Sequence, residues 1–138
     1  MKRGAGLVVI LVLGASVVLS CADRGSNRPD ESDEAKDRAR LERMGEDIEG
    51  LVGIAACSNS SGCRAIGLGD KPCGGPWRYL IYSVATVDTV ELFARVAEYN
   101  SFEDYMNGRY GYFSDCMVPN YPVLGCRDGR CVDVGGDR

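Results

Sequence analysis

Histidine is absent from all 138 residues. Its absence removes Ser-His and Cys-His nucleophilic catalysis, the imidazole general base, and the commonest mixed zinc sites. Lysine is scarce as well: Lys2, Lys36 and Lys71 are the only three, and the arginines are scattered. A binder of phosphate backbones needs clustered cations, so this distribution argues against nucleic acid as a partner. No C-x-x-C occurs among the seven cysteines, which removes the usual thiol-oxidoreductase motif. Gly67, Gly69, Gly74 and Gly75 are followed by no Gly-Lys-Ser or Gly-Lys-Thr and sit in no βαβ context, so they read as turn glycines around Cys73 and not as a phosphate loop. The longest apolar run, Leu7 to Leu19, falls well short of the about 20 residues a membrane span requires.

That run has a different meaning at the start of a chain. Lys2 and Arg3 precede it, and Val18-Leu19-Ser20-Cys21 closes it with a small residue before a cysteine. The arrangement resembles the lipobox signal of bacterial lipoproteins. The resemblance implies cleavage of residues 1–20, a diacylglyceryl group on the Cys21 sulfur, and acylation of the new amino terminus. Two or more acyl chains hold a protein firmly at a membrane without any spanning helix. By analogy with the sorting rules of such lipoproteins, Ala22 after Cys21 points to the outer membrane, facing the periplasm. Loss of the leader takes 2 of the 16 basic residues, leaving 14 against 20 acidic ones, a formal charge of −6. Such a surface gains nothing from anionic headgroups, so lipid would do the anchoring.

Seven cysteines are an odd number for an exported protein. Assigning Cys21 to lipid leaves Cys57, Cys63, Cys73, Cys116, Cys126 and Cys131, enough for three disulfides and suited to an oxidising compartment. A structural metal site is disfavoured by the long spacings and the missing histidines, and no cofactor is expected.

Residues 21–40 form a lipidated cysteine followed by a polar tether, with Arg24, Asp30, Glu31, Asp33, Glu34, Lys36 and Asp37. Leu41, Met44, Ile48, Leu51 and Val52 recur at helical spacing, so a helix is expected to begin near Ser32 or Arg38 and to end before Cys57. Arg64 to Leu68 and Trp77 to Val84 read as strands around a loop rich in Gly and Pro. Asp88 and Glu91 make a capping-box-like start to a second helix with the stripe Leu92, Val96, Tyr99, Phe102 and Met106, stopped by Asn107-Gly108. Tyr110 to Cys116, Pro122 to Arg127 and Arg130 to Val134 read as short strands, the last two joined by the Asp128-Gly129 turn. That turn sets Cys126 opposite Cys131 and permits a bridge between them, among fifteen connectivities open to six cysteines. The whole is an α+β fold over residues 41–134: a disulfide-stabilised domain with a short antiparallel sheet and one long packed helix, preceded by the tether and an N-terminal helix and followed by a tail at 135–138.

Reactive candidates are few. Ser114 and Asp115 have no triad to join and read as backbone-bonding residues. Glu91 fits a cap, and Glu98, Glu103 and Asp104 read as a solvated helix face rather than a glycosidase pair. Binding candidates are the aromatics Trp77, Tyr79, Tyr110 and Tyr112, together with Lys71 in its glycine-rich loop.

The set Cys73-Gly74-Gly75-Pro76, Tyr79-Leu80, Ser83, Asn107, Gly111, Ser114-Asp115-Cys116 and Cys126-x-x-Gly129-x-Cys131 resembles a group of small cysteine-rich bacterial lipoproteins and secreted proteins. That likeness implies an exported disulfide domain and assigns no catalytic residue. The expectation is a non-enzymatic envelope lipoprotein that binds a protein or glycan of the envelope. The alternative is a proteinase inhibitor that presents Lys71 or Arg130 on a disulfide-held loop.

Overall fold

The computed structural model describes residues 30–135, so the expected leader, Cys21, residues 22–29 of the expected tether and the last three residues lie outside it. Two long helices and two hairpins make up the rest. Helix α1 spans Glu31–Val52, strands β1 and β2 span Cys63–Leu68 and Arg78–Ser83, helix α2 spans Thr89–Tyr110, and strands β3 and β4 span Leu124–Arg127 and Arg130–Asp133. The α+β class expected from the sequence holds. Its sheet, however, is two separate two-stranded antiparallel sheets, β1-β2 and β3-β4.

The start of α1 is set by charge and capping. Asp30 accepts from the Ser32 amide, and Glu31, Asp33 and Glu34 place negative charge at the positive end of the helix dipole. Residues 31–40, which the polar composition assigns to a tether, are therefore helical, and the helix begins at Glu31, next to the earlier of the two expected positions. Ile48 and Val52 bury its inner face. Asp88 caps α2 by accepting from Val90 and Glu91, while Glu91 turns its carboxylate forward to Arg95, 3.5 Å away.

Two expectations fail near the end of α2. Asn107 does not stop the helix; it is buried, and its side-chain amide donates to the Asp70 carbonyl at 2.7 Å. The helix runs through Gly108 and ends at Gly111, whose φ of 67° is the left-handed conformation that glycine adopts without steric cost. Tyr110 to Cys116 is then not a strand, since Tyr110 is the last helical residue and residues 111–123 have no regular structure. Gly111 and Cys116 both take positive φ, and Pro119 and Pro122 offer no ladder donors.

The core lies where the helices meet the β1-β2 hairpin, around Ile48, Leu68, Leu80, Tyr82, Leu92 and Val96. Three disulfides tie the rest to it: Cys57–Cys126, Cys63–Cys131 and Cys73–Cys116, with Cα separations of 6.0, 5.4 and 5.2 Å. All six cysteines expected to pair do so. Cys126 and Cys131 do stand opposite each other in the hairpin register, yet they bond to Cys57 and Cys63 and not to one another. The reason is a third strand-like segment. Cys57 donates its amide to Gly129 and Cys131 donates to Ala55, both at 2.9 Å, which lays residues 55–57 along the hairpin within reach of its cysteines.

Candidate functional site

A cleft of about 680 Å³ opens at the end of the domain where α1 begins and α2 finishes. Trp77, Tyr99, Met106, Tyr110, Tyr112 and Phe113 give it an aromatic and apolar lining, and Arg38, Glu42 and Glu103 add charge. Its volume lies within the range of small-molecule and peptide-side-chain sites.

One wall is the connection between β1 and β2, and α2 holds it by three polar residues at helical spacing. The Asn100 carbonyl oxygen accepts from the Gly69 amide at 2.8 Å, a Glu103 oxygen accepts from the Asp70 amide at 2.7 Å, and Asn107 donates to the Asp70 carbonyl. Glu103 also lies beside the Trp77 indole, both standing close to Gly69. Burial is the main influence on this carboxyl and pushes its pKa above the ordinary value, against the lowering effect of the bonded Asp70 amide and the neighbouring Trp77 indole. Gly69 makes the arrangement possible. A Cβ there would stand 2.5 Å from Trp77 Cδ1 and 2.8 Å from the Glu103 carboxylate, and φ is +93°.

Lys71 anchors the same wall from behind. It is 8% exposed, and its ammonium donates to Asp115 Oδ1 at 3.1 Å and to the Met117 carbonyl, while lying 4.8 Å from the centre of the Trp77 ring. Asp115 also accepts from the Met117 amide, and the Lys71 bond is the main reason its carboxyl lies below the usual range. One face of Trp77 is thus occupied by a cation. The residue itself remains 45% exposed on the cleft side.

The opposite wall joins the two helices. Tyr110 donates its hydroxyl to Asp37 and Tyr112 donates to Glu34, each at 2.7 Å. Burial, then the bond to Glu34, pushes the Tyr112 hydroxyl up to about 12. Arg38 lies 5.0 Å from the Tyr112 ring centre and pairs with Glu34 at 2.7 Å.

Of the sequence-derived candidates, Trp77, Tyr110 and Tyr112 meet at the cleft, and Lys71 supports it from within. Tyr79 goes elsewhere, packing edge-on against Tyr121 with ring centres 4.9 Å apart. Glu103, expected on a solvated face, turns inward to the loop, whereas Glu98 stays exposed beside Arg40. Asn100, Glu103 and Asn107 were legible only as polar residues at i, i+3 and i+7; their partner loop, 31 to 37 residues upstream, has no local signal.

The Ser114 hydroxyl is buried without a hydrogen-bond partner among the described residues, and Asp115 spends its carboxylate on Lys71 and the Met117 amide. The sulfurs of Cys57, Cys63 and Cys131 lie within 4.8 Å of one another, a consequence of two adjacent disulfides. In that state they carry no thiolate with which to bind a metal. No described helix is long and apolar enough to cross a membrane. Neither a family model, nor a curated protein, nor a solved structure matches the chain.

Proposed function

We propose that this chain is a non-enzymatic lipoprotein of the bacterial cell envelope, tethered through acylated Cys21 at the periplasmic face of the outer membrane, whose aromatic cleft binds an envelope component. The observation that carries the binding role is the exposed Trp77 indole, packed against the buried Lys71 at the mouth of the cleft. A rigid aromatic presents a large apolar face at little entropic cost, and such residues dominate the energetics of binding surfaces. The tether and its location rest on the lipobox-like Val18-Leu19-Ser20-Cys21.

Photocrosslinking in intact cells tests the binding role. A photoreactive residue at Glu42, on the cleft rim, should yield a discrete adduct that Trp77→Ala removes, while the same group at Ile54 should not. Absence of any adduct specific to position 42 would refute it. The inhibitor alternative loses its first candidate, because Lys71 is buried and triply held. Only the exposed turn Arg127 to Arg130 remains for it, and titration against a panel of proteases decides that case.

A further inference from the structure

Residues 111–123 cross the end of the domain beside the cleft, and their composition is unusual for an irregular exposed segment. Phe113 is 93% exposed, Met117 70% and Val118 67%. The segment's single charge, Asp115, is paired with Lys71 at 3.1 Å. The Cys73–Cys116 disulfide and the Lys71 bond to the Met117 carbonyl hold the loop in place, so little ordering entropy is left to lose on contact with a partner. Apolar groups fixed in water in this way mark an interaction surface.

Position and reach identify the partner. The bond from Tyr112 to Glu34 sets the start of the loop against the first turn of α1, which begins immediately after Asp30. Eight residues lie between Cys21 and Asp30, a span of at most about 30 Å. A loop rooted there never leaves the neighbourhood of the membrane, and tethering turns even weak insertion into a largely occupied state. Trp77, Tyr110 and Tyr112 stand behind it, residue types that settle at the boundary between lipid and water.

We infer that the loop from Phe113 to Val118 inserts its apolar side chains into the bilayer interface, seating the domain on the membrane by the end that carries the cleft; this rests on the tether at Cys21 proposed above. The contact is apolar, since the loop holds no basic residue to attract anionic headgroups. The cleft then opens at headgroup level.

The test uses the full chain, extracted from membranes with its acyl groups and reconstituted into phosphatidylcholine vesicles with brominated acyl chains. Phe113→Trp and Val118→Trp, made separately, each add an indole whose quenching is read as the excess over the parent protein. Ile54→Trp is the control, since Ile54 is 66% exposed and lies just beyond the far end of α1, which runs about 27 Å from Glu34 to Val52. Quenching of at least about half the added emission at 113 and 118, with none at 54, is the expected result for interfacial insertion. Equal quenching at all three sites, or none at 113 and 118, overturns it. A strict requirement for added phosphatidylglycerol also overturns it, by showing an electrostatic contact. Mass spectrometry of the same sample reads Cys21 independently. An acylated Cys21 with an unquenched loop refutes insertion alone, whereas an unmodified Cys21 refutes the tether and the insertion with it.

Discussion

Removing the Cys57–Cys126 bridge, by Cys57→Ser with Cys126→Ser, should cost about a third less stability than its sequence separation of 69 suggests. A lone cross-link closing so long a loop restricts the unfolded chain by about 4.4 kcal/mol. Here Cys63–Cys131, with a separation of 68, already closes nearly the same loop. With it intact, Cys57–Cys126 closes only the small ring through both bridges, roughly a dozen residues, worth about 3 kcal/mol. For a domain of this size that corresponds to a fall in Tm of about 12 to 20 °C. Removing all four cysteines should cost about 7 kcal/mol, comparable to the whole stability of a small domain. Thermal unfolding followed by circular dichroism on the full oxidised chain, with both variants in parallel, reads the difference. If the double variant unfolds as easily as the quadruple one, the two bridges are not redundant and the nested-loop reasoning fails. A change under about 1 kcal/mol would show instead that the unfolded chain gains no freedom when the bridge is lost.

Other perturbations probe the cleft. Lys71→Met keeps the stem but strands the Met117 carbonyl and frees Asp115, so a loss of about 1 to 3 kcal/mol is expected in denaturant unfolding, together with a shift in Trp77 emission; no change in either would contradict the anchoring role. Because the Glu103 pKa is raised in the folded protein, the native state binds more protons than the unfolded chain just above pH 4.5, and stability should fall as pH rises through that window. Glu103→Gln should remove this component of the pH profile, and an unchanged profile would be the negative result. Tyr112, with its hydroxyl pushed up to about 12 from 10.0, contributes stability that is complete below pH 10 and lost as pH rises toward 12. Absorbance titration at alkaline pH should show a late-ionising tyrosine, absent in Tyr112→Phe. Gly69→Ala should be strongly destabilising, since its Cβ overlaps both Trp77 and Glu103 at a positive φ; native-like Trp77 fluorescence and stability would argue against that crowding.

Local signals in the sequence were enough for the elements whose causes are local. Asp88 before an apolar stripe specified where α2 begins, and Asp128-Gly129 specified the last hairpin. The cysteine parity was sufficient for three bridges but not for their partners. Pairing depended on residues 55–57 docking beside β4, a contact more than 70 residues apart in sequence that no spacing rule encodes. Asn107-Gly108 misled for a related reason: a residue with stop-signal chemistry was used as a clamp on Asp70, so tertiary hydrogen bonding overrode its local preference. Trp77, Tyr110 and Tyr112 of the cleft's lining stood among the binding candidates in the sequence, yet Tyr79 and Tyr110 look alike there and only the fold separates them. The polar residues that hold the cleft open were hidden, because a buried carboxylate and a solvated one have the same letter.

The tether at Cys21 is the premise on which location, membrane proximity and loop insertion all depend. Intact-mass and peptide mass spectrometry of the native protein, extracted from membranes under non-reducing conditions, tests it most directly. The expected species begins at Cys21, carries a diacylglyceryl group on sulfur with an acylated amino terminus, and contains three disulfides. A chain beginning elsewhere, or a Cys21 with a free thiol, would contradict the account.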